Sequence, residues 1–407
     1  MNRDEVGTDR RRWLGGLWRL TGAALVMCVI AAAPAVSGTA VASTTRVWSW
    51  GQFTGDTPLP KPLLSPEAIA IPGDLSAVVQ VGSSNSASYA LLADGSVWAW
   101  GLGNHGELGN GGTQNSVKTA VRVQFPPGVR IAFLATDAMP ADTALAVDTN
   151  GNAWGWGANT NDSLCLGNDR EYNTPVRLPL TDVTALAGAS GHALYVANGA
   201  VYECGSNSFG VAGTGSFRQH RSSTPVEITA LAGQHITAVG SSYGNDAALT
   251  TSGRVYMWGL NSEGQLGDGT RANADVPVAV TLPGAATQIA VGGSEPDNGQ
   301  TVVLLTSGLV YGWGNNTWTQ LDARGPATQD TPLQLATPAG ARITALASGG
   351  STIYAIDSAG ILWSQGQSRW GQAGDGRTAN ASAFTVVASG MAFISATARN
   401  AVAAQRT

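Results

Sequence analysis

The sequence is poor in charge, in lysine and in cysteine. Asp, Glu, Lys and Arg make up 12% of its 407 residues, and only two of the 22 basic residues are lysines, Lys61 and Lys118. A formal net charge of −5 supplies no positive field that would attract a phosphate backbone, so we expect no nucleic-acid partner. With 43% hydrophobic residues, the chain has enough apolar side chains for a large core, which excludes a disordered protein.

Motifs for catalysis and metal binding are also missing. The three cysteines contain no CxxC pair, and the four histidines form no HxxxH or HExxH arrangement. The segment from Gly240 to Gly244, GSSYG, matches the nucleophile elbow of hydrolases, but the residues after it favour a strand where that motif needs a helix. We therefore expect no enzyme activity, no metal and no cofactor.

The first 42 residues have the pattern of a cleavable signal peptide. Three arginines, Arg10 to Arg12, precede an apolar run from Leu20 to Ala33, and Ala40 and Ala42 occupy the positions that a signal peptidase reads. The run is shorter than the roughly 20 residues of a membrane span. We expect cleavage after Ala42, export to the cell envelope or the extracellular space, and no membrane attachment afterwards. The general and twin-arginine export routes stay open.

A five-residue segment that ends in glycine recurs seven times in the remaining residues 43–407. The successive glycines are 50, 56, 48, 54, 55 and 52 residues apart. The copies are VWSWG at Gly51, VWAWG at Gly101, AWGWG at Gly157, VYECG at Gly205, VYMWG at Gly259, VYGWG at Gly314 and LWSQG at Gly366.

The repeat is predicted to consist of short strands. Trp98 and Trp100 are two residues apart, which places both indoles on one face of a strand but on different sides of a helix. Tight-turn pairs such as Asp94-Gly95 precede six of the copies and predict β-hairpins. The last apolar strand, from Met391, lacks a partner after it, and the first copy, at Val47, lacks one before it. The two chain ends therefore complete one unit, which closes an all-β ring.

These residues resemble the regulator of chromosome condensation repeat, which folds as a seven-bladed β-propeller. The fifth copy carries the likeness best, as SGRVYMWGLNSEGQLGDGT followed by DVPV, from Ser252 to Val278. The recurrent histidine of the family is present only as His192, and the first copy is shortened. The resemblance implies a propeller over residues 43–407, closed by its terminal strands, and with the signal peptide it suggests an exported, bacterial-type member.

One position in the repeat is a candidate binding rim. The fourth residue after each strand-ending glycine should project from an equivalent point of the ring, and Phe53 should lie nearby in the shortened first copy. Exposed aromatic side chains on one rim favour protein or sugar binding, although they could instead pack over the loop of their own blade. The candidate residues are Trp318, Trp370, Phe209, His105 and Phe53, with Trp318 and Trp370 as the main anchors.

Two of the cysteines fall in neighbouring repeats. Cys165 lies in the loop after the third copy, and Cys204 replaces the second tryptophan of the fourth, a position expected to be buried against the next blade. An exported protein permits a disulfide between them, and two buried free thiols are the alternative.

The leading functional hypothesis is a non-catalytic propeller that binds another protein as a scaffold or an inhibitor. A propeller that binds cell-wall polysaccharide is the first alternative, because indoles and amides suit sugar rings. Family analogy with a guanine-nucleotide exchange regulator, or an enzyme site in the central channel, are further alternatives.

Overall fold

The protein is described here from a computed structural model that covers residues 47–53, 61–72, 77–135, 142–296 and 298–405. The predicted signal peptide, residues 1–42, lies outside these ranges. Within them, no helix has the length and apolar character that a membrane crossing requires.

The described residues form seven four-stranded antiparallel sheets, numbered here as blades I to VII. The strands are, for blade I, β1 (Val47–Gly51), β2 (Leu63–Ile69), β27 (Met391–Ala396) and β28 (Asn400–Gln405); for blade II, β3 (Val78–Ser83), β4 (Ala87–Leu92), β5 (Val97–Gly101) and β6 (Ser116–Arg122); for blade III, β7 (Ile131–Leu134), β8 (Thr143–Asp148), β9 (Ala153–Gly157) and β10 (Tyr172–Arg177); for blade IV, β11 (Val183–Ala189), β12 (His192–Ala197), β13 (Ala200–Ser206) and β14 (Arg221–Glu227). Those of the remaining blades are, for blade V, β15 (Ile236–Ser241), β16 (Asn245–Thr250), β17 (Val255–Gly259) and β18 (Ala274–Ala279); for blade VI, β19 (Ala286–Gly292), β20 (Gln300–Leu305), β21 (Val310–Asn315) and β22 (Thr328–Gln334); for blade VII, β23 (Ile343–Ser348), β24 (Thr352–Asp357), β25 (Leu362–Gly366) and β26 (Ala381–Ala388). Three short 3-10 turns lie at Thr160–Asp162, Ser208–Gly210 and Thr229–Leu231.

The predicted strands and hairpins are confirmed. In β5, Trp98 and Trp100 point to blade I, whereas Val97 and Ala99 pack in the core shared with blade III. Each of the six predicted turn pairs joins the second and third strands of a blade, and Gly95, with a φ of +82°, shows why glycine is needed there.

The predicted closure of the ring is also confirmed. Strand β1 pairs antiparallel with β28, so that Val47 lies opposite Ala404 and Gly51 opposite Asn400. The N-terminal segment thus supplies the third and fourth strands of a blade whose first two strands come from the C-terminal end, which gives this blade the same four strands as the other six.

Neighbouring blades are joined at the second tryptophan of each repeat. In blade III, the Trp156 indole Nε1 donates a hydrogen bond of 2.8 Å to the backbone oxygen of Glu107, in the loop of blade II. The same bond, also 2.8 Å, recurs between Trp50 and Gln372, Trp258 and Val211, and Trp313 and Gln265.

Three joints depart from this pattern. Gln365 donates to the backbone oxygen of Thr319 over 3.0 Å, and the buried Trp100 indole finds no partner among the described residues. Cys204 forms a disulfide with Cys165, whose Cα atom is 5.7 Å away. The expectation that Cys204 faces the next blade was wrong, because the second tryptophan position of each repeat points to the preceding blade.

Candidate functional site

One face of the propeller carries the candidate site. Strands alternate in direction within a blade, so the turns between first and second strands and the loops between third and fourth strands lie on the same face. We call it the rim face. The hairpins with the glycine turns, such as the one at Gly95, lie on the opposite face.

Four loops of the rim face are organised by an asparagine, the second residue after the strand-ending glycine. In blade V this residue is Asn261, which is fully buried; its Oδ1 accepts the Leu266 N–H over 2.9 Å and its Nδ2 donates to the Thr270 backbone oxygen over 3.1 Å. Asn159, Asn207 and Asn316 use Oδ1 in the same way, over 2.8–2.9 Å.

Phe53 stands at this buried position in blade I, and its assignment to the rim is therefore corrected. Its side chain is 3% exposed and packs in the core between blades I and II with Trp100 and Leu102. The register explains the error, because Phe53 comes two residues after Gly51, whereas the rim positions come four residues after their glycines.

Trp370 is half-buried on the rim face between two arginines. The guanidinium carbon of Arg369 lies 4.9 Å from the centre of its indole ring, and that of Arg399 lies 4.8 Å away. The Trp370 backbone N–H donates to the Gln372 Oε1 over 2.8 Å, which fixes the loop that carries the ring. Because Arg399 belongs to the turn between β27 and β28, this aromatic and cationic surface spans blades VII and I.

Trp318 and Phe209 are half-buried at two other joints. The Trp318 N–H donates to the Gln320 Oε1 over 3.0 Å, so its loop has the same geometry as that of Trp370 on the adjacent blade. The Phe209 ring lies 6.2 Å from that of Tyr243, in the first turn of blade V. Phe209 thus contacts the neighbouring blade.

His105 belongs to an acidic cluster rather than to an aromatic surface. Its Nδ1 lies 2.7 Å from the Glu171 Oε1, and Glu107 and Asp142 are close by. Burial of the imidazole disfavours its charged form, but the hydrogen bond to Glu171 and the negative charges of Glu107, Glu171 and Asp142 together outweigh burial and raise the His105 pKa.

The structure therefore distributes the predicted rim residues over separate joints and gathers none of them in a shared pocket. It adds Arg399 and Tyr243, which the sequence analysis missed because it considered only the loops after the third strands. The first turns of the blades form a second repeating series on the same face, and that series contains both residues.

A buried Ser–His–Asp set lies between blades IV and V. The Ser241 Oγ and the Asp246 Oδ1 approach the same His192 nitrogen, Nε2, over 3.1 and 3.0 Å, and the hydroxyl also donates to Asp246 over 2.5 Å. In a catalytic triad the acid holds the other ring nitrogen. These residues, each at most 2% exposed, instead join the blades.

Glu203 lies in the same joint and is fully buried. Neither carboxyl oxygen has a hydrogen-bond partner among the described residues. Burial, with a smaller contribution from the charge of Asp246, raises its pKa to about 9, so the side chain is neutral at pH 7.

Comparison with known families identifies the repeat. Models of the regulator of chromosome condensation (RCC1) repeat match residues 94–135, 252–294 and 307–356, and a second model of the same repeat matches residues 78–107 and 236–265. The chain therefore carries RCC1 repeats within a seven-bladed propeller.

Similar proteins have diverse roles. The ultraviolet-B receptor UVR8 of Arabidopsis thaliana is 27% identical over 334 residues, which cover 79% of this chain and 70% of the receptor. The human E3 ubiquitin-protein ligase HERC2 is 28% identical over 306 residues, which cover 74% of this chain but 6% of the ligase.

Solved structures support the fold. Human WBSCR16 superposes with a TM-score of 0.75 at 19% identity, covering 90% of this chain and 100% of that one. Saccharomyces cerevisiae Prp20p, studied for its binding to Gsp1p and histones, gives 0.75 at 20% identity, covering 90% and 92%. At these identities the likeness extends to the fold alone.

Proposed function

We propose that this chain, a seven-bladed propeller with RCC1 repeats, is an exported, non-catalytic module that binds another protein through its rim face. The observation that carries the proposal is Trp370, half-buried between Arg369 and Arg399. Tryptophan and arginine are enriched among the residues that dominate protein interfaces, particularly where an aromatic anchor is partly desolvated. Trp318 occupies the equivalent position on the adjacent blade and is proposed as a second anchor.

Two further observations support the proposal. Yeast Prp20, which shares the fold, has been studied for its binding to Gsp1p and histones and has been crystallised with Kap60. Export rests on the sequence alone, through Arg10 to Arg12, the apolar run and the Ala40–Ala42 site. Mass spectrometry of the protein from the culture medium should find Ser43 as its first residue; an intact Met1 inside the cells would contradict export.

The binding test compares the purified protein with Trp370→Ala, Trp318→Ala and the double variant. Leu309→Ala is the matched control, since Leu309 is 40% exposed in a hairpin on the opposite face. Each protein is immobilised and exposed to soluble proteins, and separately to wall polysaccharide, from the source cells. Circular dichroism verifies that every variant is folded.

We expect the wild type and Leu309→Ala to retain the same partner protein in equal amounts. The double variant should retain at least about tenfold less of that partner. Equal retention by all five proteins would remove the rim face from the interaction. Retention of polysaccharide alone would replace the proposal by the carbohydrate-binding alternative.

A further inference from the structure

A His–carboxylate cluster connects blades II and III on the rim face. His105 and Glu107 lie in the loop after β5, and Asp142 directly precedes β8. One ligand atom from each of the three side chains lies within 4.8 Å of the other two. His105 and Asp142 are half-buried and Glu107 is 1% exposed.

The repeats themselves identify the unusual member of this cluster. Glu107 stands where three other loops have a glutamine, and in each the side-chain oxygen accepts the N–H of the residue two positions earlier. This distance is 2.8 Å for Glu107 and 2.7, 3.0 and 2.8 Å for Gln265, Gln320 and Gln372. A neutral amide thus suffices for the fold, and the negative charge of Glu107 is additional to it.

Among the described residues, the Glu107 carboxylate accepts hydrogen bonds from the Ser86 hydroxyl and from the His105 backbone N–H. Glu107 is 1% exposed, and an Asp142 carboxylate oxygen lies within 4.8 Å of one of its own carboxyl oxygens. Among the described residues, Glu107 makes no ion pair with Lys or Arg. The Ser86 hydroxyl lies 2.9 Å from the Glu107 Oε1 and 2.6 Å from the Asp142 Oδ1, and its single proton can serve only one of them at a time.

The imidazole of the cluster is held as metal-binding histidines are held. The Glu171 carboxylate accepts from the His105 Nδ1, which places the proton there and the lone pair of the neutral ring on Nε2. Such carboxylate–histidine pairs orient metal ligands in many proteins. The backbone is fixed as well, because the Glu107 oxygen accepts from Trp156 over 2.8 Å and the Asp142 oxygen accepts from the Ala158 N–H over 2.8 Å.

We propose that His105, Glu107 and Asp142 form a binding site for a divalent transition-metal ion of the Zn²⁺ or Mn²⁺ type. One imidazole nitrogen with two carboxylates suits these ions, whereas Mg²⁺ and Ca²⁺ prefer oxygen ligands only. Ligands at about 2.1 Å from a tetrahedral ion lie roughly 3.4 Å apart, which small side-chain rotations can reach from the observed spread. A cation here neutralises the buried charge and ties two blades together, in contrast to the absence of a metal that the sequence suggested.

The test is a titration of the full-length, chelator-treated protein with Zn²⁺ by calorimetry and with Co²⁺ by visible absorption. We expect saturation at one ion per chain. Glu107→Gln introduces the residue of the other loops, so we expect it to fold like the wild type and to bind at least about tenfold more weakly. His220→Gln, on an exposed histidine elsewhere on the chain, is the matched control and should bind like the wild type.

Two results would overturn the proposal: no saturable binding by the wild type, or wild-type affinity in Glu107→Gln. Loss of binding in His220→Gln would place the ion at another site and would overturn it as well. If Glu107→Gln loses its folded circular-dichroism signal, Asp142→Asn takes its place with the same expected loss.

Discussion

The joint between blades II and III and the joint between blades III and IV use different chemistry at the same position of the repeat. At the first, the buried Trp156 indole donates to the Glu107 backbone oxygen and packs edge-on against Tyr89, with ring centres 5.8 Å apart. At the second, Cys204 replaces the tryptophan and is bonded covalently to Cys165. In blades III and IV alike, the second and third strands pair in the same antiparallel register around this position.

The difference teaches that the repeat fixes the place of the joint but not its chemistry. The third strand always directs this side chain towards the loop of the preceding blade, and any group that bonds to that loop can occupy it. A large indole fills the space and supplies one hydrogen bond, whereas the smaller cysteine compensates for lost packing with a covalent bond.

Breaking the covalent joint should give the largest effect. The disulfide closes a segment of 39 residues, so replacing both cysteines with serine should lower the free energy of unfolding by about 4 kcal/mol, measured by urea denaturation. Cys28→Ser should change nothing, because Cys28 lies outside the propeller residues. Alkylation of Cys165 and Cys204 in the unreduced, denatured protein would contradict the covalent joint.

The joint between blades IV and V adds a third kind of chemistry to this comparison, because it buries the carboxyl group of Glu203. The Glu203 pKa is about 9 in the folded protein, against a usual value of 4.5, so the folded state binds more protons between these values. The free energy of unfolding should therefore fall as pH rises through this window. Glu203→Met, which introduces the residue that blade V has as Met257, should remove this dependence and add on the order of 3 kcal/mol at pH 7. Urea denaturation at several pH values measures both, and an unchanged slope would contradict a neutral Glu203.

The smallest expected effect is a difference in stability between variants of two tryptophans, Trp156 and Trp100, that occupy the same position in neighbouring blades. Trp156→Phe deletes a hydrogen bond and should cost about 1 kcal/mol beyond the loss of packing. Trp100→Phe deletes an indole N–H that has no partner among the described residues, so this additional cost should be absent. The two variants lose the same atoms, which makes each the control for the other. Equal losses in thermal denaturation would mean that the Trp156 bond adds nothing.

The sequence predicted most of the fold and less of the site. The spacing of the glycines, the period-two tryptophans and the incomplete terminal units predicted the seven blades and their closure, because these features depend on local backbone chemistry. The direction of Cys204 was wrong, since a period of two says that a side chain faces a neighbouring blade but not which one. Phe53 was misplaced because the shortened loop obscured its register.

The cluster of His105, Glu107 and Asp142 could not be predicted from the sequence, for a different reason. His105 and Asp142 are 37 positions apart and meet only because blades II and III lie side by side. Glu107 differs from the glutamines of the other loops by one functional group, and its significance depends on Ser86 and Asp142, which belong to two different blades.

The pairing of β1 with β28 has a consequence for protein synthesis. Six blades are each built from one continuous stretch of chain and can form as that stretch leaves the ribosome. The seventh needs Val47 to meet Ala404, so it waits until the residues up to Ala404 have been made. A nascent chain halted before Met391 would hold β1 paired with β2 alone, with its other edge exposed to other chains, so we expect ring closure to follow the formation of the other six blades.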